Sequence, residues 1–455
     1  MTRLRLEGKR GTGLAAILAA VGASVALAAC GGGDSGSSGD AQTFDKNEPA
    51  TVTVWSGFTK RELGVFDQNI AAFEKKYPNV TVDSVGGIND DKIIAAIRGG
   101  NAPDVALSAS ADNTGAYCGS GAWIDLAPYI ERDNVDVNQF PKAVRYYTQF
   151  DGTRCAMPLL SDVYGLYYNK DLFAQAGISG PPQTISELDA DAKKLTQRNS
   201  DGSIAVAGYV PTMGFYENAA AHYAPSWNAQ WQTPDGKAAM ASDPAWADML
   251  EWDKSLIDWY GYDDLVRFQA GAGEEFSASN AFETGKIAMI LDGEYRTAFI
   301  ADEHPELNYG TAPFPVADNQ KDRYGAGYVS GSIMGIPKGS DNEAAAWELV
   351  KYLTTDTQSL VDLANTLANV PTTPAAASSP KLHLVPQFAT FVDAFKNPNT
   401  ETNPVTASGA AYQEIFESFI DKYQAGQVSD LQAGLEDTAQ QVDAQEENAS
   451  GGQAP

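Results

Sequence analysis

Strands and helices alternate from residue 51 to residue 108, and this alternation restricts the possible folds more than any other feature of the chain. Residues 51–55 are rich in β-branched side chains and predict a strand. Apolar residues over 63–77 follow the 3-4 spacing of one helical face, and 80–82 predicts the next strand. A short helix over 93–97 and a strand over 104–108 follow. Such alternation favours an α/β fold with a mostly parallel sheet covered on both faces.

A second α/β region follows further along the chain. The pattern predicts strands over 163–168, 203–209, 286–291 and 329–336, and helices over 184–195 and 246–260. Ser340 and Glu343 have the spacing of a capping box that opens a helix reaching residue 353. Because a chain of 455 residues exceeds what one compact core usually holds, we expect two domains.

The N-terminus has the layout of an export signal. Four basic residues lie within the first ten, an uncharged run covers 14–27, and Cys30 follows two alanines. The run is shorter than the roughly 20 residues that a membrane span needs. We therefore predict a signal peptide over 1–29 and a flexible Gly/Ser tether over 30–44. The alternatives are a signal whose final Cys carries a lipid and a plain secretory signal that happens to end in Cys. The polar segment 444–455 predicts a disordered tail.

The charge balance excludes some partners. The chain carries 31 basic and 59 acidic residues, a formal net charge of −28. This argues against nucleic acid and against electrostatic adhesion to anionic lipid. No second hydrophobic stretch of the sequence approaches the length of a membrane span. Any membrane attachment would therefore be through a lipid, for which a Cys at the end of an export signal is the candidate site.

Two cysteines remain if Cys30 carries a lipid. An even pair in an exported protein, here Cys118 and Cys155, favours a disulfide over a metal site. Two separate buried thiols are the alternative.

The sequence lacks several common catalytic motifs. It contains no His-Glu-x-x-His, no Gly-x-Ser-x-Gly and no phosphate-binding Gly-Lys-Ser/Thr. His222, His304 and His383 lack the spacing of metal ligands. No local constellation singles out two of the acidic residues as a glycosidase pair. We therefore predict a binding protein without catalytic residues, cofactor or metal.

A series of short stretches carries a family resemblance. They lie at 54–57, 73–78, 102–105, 157–173, 282–296 and 369–372. In this order they resemble the extracellular solute-binding proteins of bacterial ABC importers, in the group that binds maltose and other sugars. Residues 27–30 resemble the lipobox of bacterial lipoproteins, in which the Cys is acylated and becomes the mature N-terminus.

The resemblance implies a two-lobed, periplasmic-binding-protein-like (type II) α/β fold with the ligand in a cleft. Lobe 1 would comprise 45–158 plus 315–352, and lobe 2 would comprise 159–314 plus 353–443. The implied function is to capture a mono- or oligosaccharide by hinge closure and deliver it to the ABC permease subunits. The protein would be a monomer, lipid-anchored through Cys30 on the outer face of the cytoplasmic membrane. The alternatives are a receptor for a non-sugar solute (polyamine, glycerophosphate) and a secreted glycoside hydrolase.

Candidate ligand residues follow from strand ends, aromatic composition and the resemblance. Ligands of open α/β sheets bind beyond the carboxyl ends of strands, and Tyr295 matches a position where sugar-binding relatives often stack an aromatic ring. The predicted contacts are Trp55, Ser56, Phe58, Asn89, Asp90, Ser110, Asp112, Asn113, Asp162, Tyr164, Tyr216, Trp227, Glu294, Tyr295, Arg296, Tyr328 and Ser330.

Three of these residues have an alternative role. Trp55 ends a strand and suits core packing, Asp112 suits a helix N-cap, and Asp162 suits a hinge. The loop 108–112 lacks the Trp of maltose-binding relatives, which favours a smaller or different sugar over a long maltodextrin.

Overall fold

A computed structural model describes residues 41–451; the predicted signal peptide 1–29, Cys30, the predicted tether as far as residue 40 and residues 452–455 lie outside the described residues. The strands are β1 Ala50–Trp55, β2 Val80–Val85, β3 Val105–Ser108, β4 Ala156–Pro158, β5 Leu160–Asn169, β6 Gln197–Arg198, β7 Ile204–Tyr209, β8 Ile287–Gly293, β9 Tyr309–Ala312, β10 Val329–Ser330, β11 Ile333–Gly335 and β12 Val370–Pro371. The helices are α1 Lys60–Lys76, α2 Asp90–Arg98, α3 Thr114–Gly119, α4 Ala127–Arg132, α5 Lys142–Tyr147, α6 Lys170–Ala176, α7 Ile185–Leu195, α8 Ala220–Trp227, α9 Pro244–Tyr260, α10 Tyr262–Gln269, α11 Arg296–Glu303, α12 Glu343–Thr355, α13 Thr357–Leu367, α14 Pro374–Ala377, α15 Ala389–Lys396, α16 Ala411–Gln424 and α17 Leu431–Gly451.

The first sheet has the order β2-β1-β3-β11-β4. Strand β1 is parallel to β2 and β3, as the alternating pattern predicted, whereas β11 is antiparallel to β3 and β4. Helix α1 covers this sheet with the apolar face that its spacing predicted, and Phe66 and Phe73 on that face are fully buried. The elements predicted between residues 51 and 108 are therefore confirmed.

The second sheet is built around β5. Its order is β10-β5-β8-β7-β6, and β9 and β12 also pair with β5. The predicted strand 329–336 is divided at Gly331, whose φ of 146° only glycine adopts readily. Its first part, β10, pairs with β5 in the second sheet, and its second part, β11, lies in the first sheet. The division arises because the chain crosses here between the two halves of the molecule.

Three crossings connect the halves, and they lie side by side. The chain crosses between β4 and β5, between β10 and β11, and between α13 and β12. The backbone N–H of Leu159 donates to Ser332 O (2.9 Å), and that of Ser332 donates to Leu160 O (3.1 Å). Strand β12 pairs with the first two residues of β5. The hinge is therefore one hydrogen-bonded group of strands.

The contacts differ from the predicted lobe boundaries at two places. Residues 316–330 are bonded to the second half, because Val316 pairs with Thr184 and β10 pairs with β5, although the boundary was set at 315. Helix α13 packs on the first half, where Ser359 Oγ donates to Asn69 Oδ1 of α1 (3.2 Å), although the boundary was set at 353. In both cases periodicity alone does not reveal the sheet against which an element packs.

Both ends of the described chain are more ordered than predicted. The predicted tether is wrong for residues 41–44, since the Phe44 ring lies 5.8 Å from the Tyr77 ring and Gln42 Nε2 donates to Glu343 Oε2 (3.1 Å). The tail predicted from residue 444 is helical as far as residue 451. Glu446 on that helix accepts a hydrogen bond from Ser408, which explains how a polar segment remains attached.

The predicted capping box is also wrong. Asn342 is the N-cap residue of α12, and its side chain makes no capping hydrogen bond. Ser340 Oγ instead donates to Asp104 Oδ1 (2.7 Å), a contact between distant parts of the chain that local spacing does not predict.

Two sequence predictions concern covalent structure and membranes. Cys118 and Cys155 form the predicted disulfide, with their Cα atoms 5.4 Å apart. Within residues 41–451, no helix combines the length and the apolar composition required to span a bilayer.

Candidate functional site

Two carboxyls, of which that of Asp162 is half-buried and that of Glu294 fully buried, meet the amide of Asn369 where the three crossings lie together. Asn369 Nδ2 donates to Asp162 Oδ1 (2.6 Å) and to Glu294 Oε1 (3.1 Å), and Val163 N–H donates to Glu294 Oε2 (2.6 Å). We call Asp162, Glu294 and Asn369 the hinge cluster. Each comes from a different segment, namely β5, the end of β8 and the start of β12.

Burial raises the carboxyl pKa values in the hinge cluster. The pKa of Asp162 is raised to about 7 by burial and by the nearby Glu217 carboxylate, while the hydrogen bond from Asn369 opposes the rise. The pKa of Glu294 lies well above its usual value because of burial and of Asp162. The folded state therefore favours the protonated forms of this pair.

Three rings form an aromatic group beside the hinge cluster. The rings of Tyr164 and His222 are stacked with centroids 3.8 Å apart, and Tyr328 lies 5.0 Å from His222 and 5.7 Å from Tyr164. Burial lowers the pKa of His222 to about 4, so the imidazole is neutral at physiological pH. The group presents ring faces and few charges.

A polar contact links the aromatic group to the first half. Asn403 Nδ2 donates to Tyr328 Oη (2.7 Å) and to Asp112 Oδ1 (3.1 Å), and Asp112 belongs to the loop after β3. The amide oxygen Oδ1 of Asn403 is buried and accepts no hydrogen bond from any residue between 41 and 451. A buried acceptor of this kind is suited to a hydroxyl donor from a ligand or a water molecule.

A cavity of about 540 Å³ adjoins Tyr328 and Asn403. It lies between α5, the end of α8 and the segment 398–404, and the Arg323–Glu401 ion pair (2.6 Å) borders it. Among the predicted site residues that the structure describes, Tyr328 alone lines it.

A group of acidic side chains lies in the second half, next to Tyr295. One carboxylate oxygen from each of Glu217, Glu275 and Asp292 lies within 4.8 Å of the others, and we call these three residues the acid wall. The Tyr295 hydroxyl donates to Glu217. Burial, and then the neighbouring carboxylates, raise the pKa of Glu275 to about 9; burial raises that of Asp292 to about 6, with Arg296 opposing the rise.

Arg296 lies beneath this wall and is fully buried. Its guanidinium donates to Asp292 (2.7 Å) and Glu283 (3.1 Å). It was predicted as a ligand contact, but its charge is already matched inside the protein. Arg296 therefore supports the wall and is not available to an anionic solute.

Several predicted loop residues already have structural partners. Asn89 caps α2 by accepting from Lys92 N–H (3.2 Å), and Asp90 accepts from the Tyr117 hydroxyl (2.6 Å). In the loop after β3 a similar arrangement holds. Ser110 Oγ accepts from Asp112 N–H (3.2 Å), so Ser110 rather than Asp112 is the cap, and Asn113 Nδ2 donates to Ser108 Oγ (3.3 Å).

The predicted contacts at the end of β1 are two aromatic side chains that pack against neighbours and one serine whose hydroxyl has no partner within the described residues. Phe58 packs edge-on against Phe66, with ring centroids 5.6 Å apart. Trp55 is half-buried against the core. Ser56 is fully buried, and its hydroxyl has no hydrogen-bond partner within the described residues.

Two predicted aromatic contacts are engaged in the second half. Trp227 is buried, 5.2 Å from the Trp252 ring, so it serves the core rather than a cleft. Tyr216 donates to Ala272 O (2.9 Å) and fixes a loop. Ser330 is half-buried and pairs with Asp162 in the β10–β5 ladder.

Sequence reasoning missed six residues of the site, namely His222, Asn369, Asn403 and the three acid-wall residues Glu217, Glu275 and Asp292. Asn369 lay in a stretch that carried the resemblance, but no role was given to it. His222 was considered only as a metal ligand. Glu217 and Asn403 lie in segments without periodic pattern, and only the tertiary fold brings them to the strand ends.

The profile of the family described as bacterial extracellular solute-binding protein matches residues 59–359. This match covers more than half of the chain, including parts of both halves and two of the three crossings. The chain belongs to this family.

Individual members of the solute-binding family are also similar. A binding protein of Brucella abortus (strain 2308) is 28% identical over 207 residues, covering 45% of this chain and 47% of that protein. The chain thus spans about half the length of this relative. The maltooligosaccharide ABC transporter solute-binding lipoprotein of Streptococcus pneumoniae serotype 4 is 26% identical, covering 74% of this chain and 75% of that protein.

A solved structure shares the two-lobed fold of the solute-binding proteins. CpMnBP1 with mannotriose bound superposes with a TM-score of 0.76 and 26% identity, covering 86% of this chain and 99% of that chain. The predicted fold class, two α/β lobes of the maltose-binding type, is confirmed.

Proposed function

We propose that this protein is the receptor of an ABC importer and captures an oligosaccharide between its two halves. The observation that carries the proposal is the meeting of the aromatic group with the hinge cluster, where the chain passes between the halves. Relatives that bind maltooligosaccharide and mannotriose support the sugar assignment. The family consists of binding proteins, so the glycoside hydrolase alternative is not retained.

The side chains suit a sugar for two physical reasons. Ring faces such as that of Tyr295 pack against the C–H faces of a pyranose. Carboxyl and amide groups such as those of Asp112, Asp162 and Asn403 accept hydrogen bonds from hydroxyls and, in the case of the amide, also donate them. Because burial raises the pKa values of Asp162 and Glu294, it favours protonated carboxyls that donate as well as accept hydrogen bonds.

Charge argues against an anionic ligand. The acid wall and the hinge cluster together hold five carboxyl groups, whereas Arg296 is already paired with Asp292 and Glu283. Within the hinge cluster and the acid wall, a glycerophosphate would therefore find no free cationic partner. This removes one of the two non-sugar alternatives from the leading candidates.

A cationic solute such as a polyamine is the second candidate. The specific observation in its favour is the acid wall, whose three carboxylate oxygens lie within 4.8 Å of one another. An ammonium group would offset their mutual repulsion. The Glu217→Gln variant separates the candidates: it should weaken spermidine binding strongly and change the affinity for a neutral sugar by less.

The proposal also includes a location for the protein relative to the membrane. We propose that Cys30 is acylated after removal of residues 1–29 and that the lipid attaches the receptor to the outer face of the cytoplasmic membrane as a monomer. The permease subunits would then recognise the closed, sugar-loaded form. A tether of this kind raises the effective concentration of the receptor at the permease.

The test is thermal unfolding of the purified chain with mannotriose, maltotriose, spermidine or glycerol 3-phosphate. We expect a saccharide to raise the melting temperature and to be recovered unchanged by mass spectrometry. A shift with spermidine alone would favour the second candidate. Recovery of cleaved saccharide, or a shift with glycerol 3-phosphate alone, would contradict the proposal.

A further inference from the structure

Phe276 is the most exposed of the large hydrophobic side chains in the described residues, with 56% of its surface accessible. It lies on the segment 270–281 between α10 and β8. Single exposed hydrophobic residues are common and need no explanation by themselves. Phe276 differs from such residues in how firmly its backbone is held and in which side chains lie next to its ring.

The backbone beside Phe276 is held firmly. The carbonyl oxygen of Glu275 accepts hydrogen bonds from Arg296 Nη1 (2.9 Å) and from Asn280 Nδ2 (3.0 Å), and both donors belong to buried residues. On the other side, the Ala278 carbonyl contacts His304 Nε2 (2.9 Å). The exposed ring therefore projects from a fixed loop.

The ring of Phe276 extends the surface of Tyr295. Their centroids are 6.0 Å apart and their planes are inclined by 51°. The Arg296 guanidinium lies 5.5 Å from the Phe276 centroid and 5.2 Å from that of Phe299, which fixes the position of both rings through cation–π contacts. Two rings inclined in this way cannot both lie flat on one pyranose, but they can each serve one of two linked residues.

We infer that Phe276 is a second stacking platform and that the preferred ligand contains at least two linked sugar residues. Tyr295 contacts one residue, and Phe276 contacts the next one along the chain. This inference rests on the proposed capture of an oligosaccharide and adds the residue that contacts the second sugar. It assigns to the loop 270–281 the role of selecting an oligosaccharide over its monosaccharide.

The test measures how affinity depends on ligand length, by calorimetric titration of the full chain with mannose, mannobiose and mannotriose, and with glucose, maltose and maltotriose. In one of the two series, the wild-type protein should bind the disaccharide more tightly than the monosaccharide. The Phe276→Ala variant should lose about fivefold to tenfold of that gain while its monosaccharide affinity stays within twofold. The Phe276→Tyr variant should retain the gain.

The matched control is Trp259→Ala, which removes another exposed aromatic ring (42% accessible) on α9. It should leave the length dependence unchanged, and all three variants should melt within a few degrees of the wild-type protein. An undiminished gain in Phe276→Ala, or an equal loss in Trp259→Ala, overturns the inference while the receptor function stands. Absence of binding by all six saccharides overturns the proposed function itself.

Discussion

Gly115 of α3 lies so close to Thr406 that a Cβ atom at position 115 would overlap the Thr406 carbonyl oxygen. Gly115 belongs to the first half, whereas Thr406 follows Asn403 in the segment that is bonded to β10. The contact lies beside the hydrogen bond between Asp112 and Asn403. The two halves therefore meet here backbone to backbone, without a side chain that could move aside.

Gly115→Ala should disfavour this arrangement of the halves. The added methyl group meets backbone atoms, and overpacking of this kind typically costs about 1–3 kcal/mol. We expect a lower melting temperature and weaker saccharide affinity, measured by calorimetry. Gly64→Ala in α1 is the control, because nothing lies within 4 Å of its added Cβ, and it should stabilise the helix by about 0.5–1 kcal/mol. Equal behaviour of the two variants would contradict the prediction.

Tyr295→Ala should weaken saccharide binding by about tenfold, since it removes a stacking ring. Tyr295→Phe retains the ring and loses only the hydroxyl that donates to Glu217, so its affinity should stay close to that of the wild-type protein. Titration with the saccharide that raises the melting temperature measures both. Unaltered affinity in Tyr295→Ala would refute the stacking role.

Asn369→Ala should destabilise the hinge cluster, because the carboxyls of Asp162 and Glu294 lose their shared donor. A loss of about 1–3 kcal/mol in the free energy of unfolding is expected. Asn369 lowers the pKa of Asp162, so its removal raises that pKa further above 7, and the loss should grow as the pH rises from 5 to 8. Urea unfolding at both pH values tests this, with the exposed Asn399→Ala as the control. Equal losses in the two variants would speak against the role of Asn369.

Asp253 gives a prediction about pH and stability that is independent of the ligand site. It is fully buried on α9, and Gln424 Nε2 donates to its Oδ2 (2.6 Å). Burial raises its pKa from the usual 3.8 to about 8, so its stabilising contribution is complete below pH 4 and is lost as the pH rises through 8. The loss approaches about 1.4 kcal/mol per pH unit between these values.

The variant Asp253→Asn removes the titrating group and keeps the shape of the side chain. We expect it to be more stable than the wild-type protein at pH 8, with a flatter dependence of unfolding free energy on pH. Asp248→Asn, at an exposed position of the same helix, is the control and should keep the wild-type slope. A wild-type slope in Asp253→Asn would show that Asp253 is not buried in its protonated form.

The disulfide between Cys118 and Cys155 should stabilise the first half of the molecule. Cys118 and Cys155 are separated by 37 residues, and closing such a loop stabilises the folded state by about 4 kcal/mol on the chain-entropy model. The double variant Cys118→Ser, Cys155→Ser should therefore melt at a lower temperature. A reductant should lower the melting temperature of the wild-type protein and leave that of the double variant unchanged. A reductant effect of equal size on both would exclude the disulfide as its cause.

The sequence was most informative where burial follows a local period. The face of α1 and the strands between residues 51 and 108 were predicted because each element covers one sheet with regularly spaced apolar residues. The end of β8 was predicted in the same way, which made Tyr295 a candidate beyond a strand end, whereas Asp162 was a candidate from the family resemblance. Neither position required knowledge of distant contacts.

The parts that were not predicted depend on long-range contacts. Asn369 and Asn403 lie in irregular segments, and only the crossings of the chain bring them to Asp162 and Asp112. Trp227 was assigned to the ligand because composition does not distinguish a ring in the core from a ring in a cleft. The boundary at residue 353 was misplaced because an amphipathic helix such as α13 can cover either sheet.

The side-by-side crossings restrict how the molecule moves. Residues 160–161 of β5 pair with β12 and residues 162–163 pair with β10, so strands from all three connections are fixed to one another. Joined in this way they resist independent twisting, so we expect any relative motion of the halves to follow mainly one hinge direction. One pair of fluorophores, one on each half, would then report the whole opening and closing cycle in a single distance.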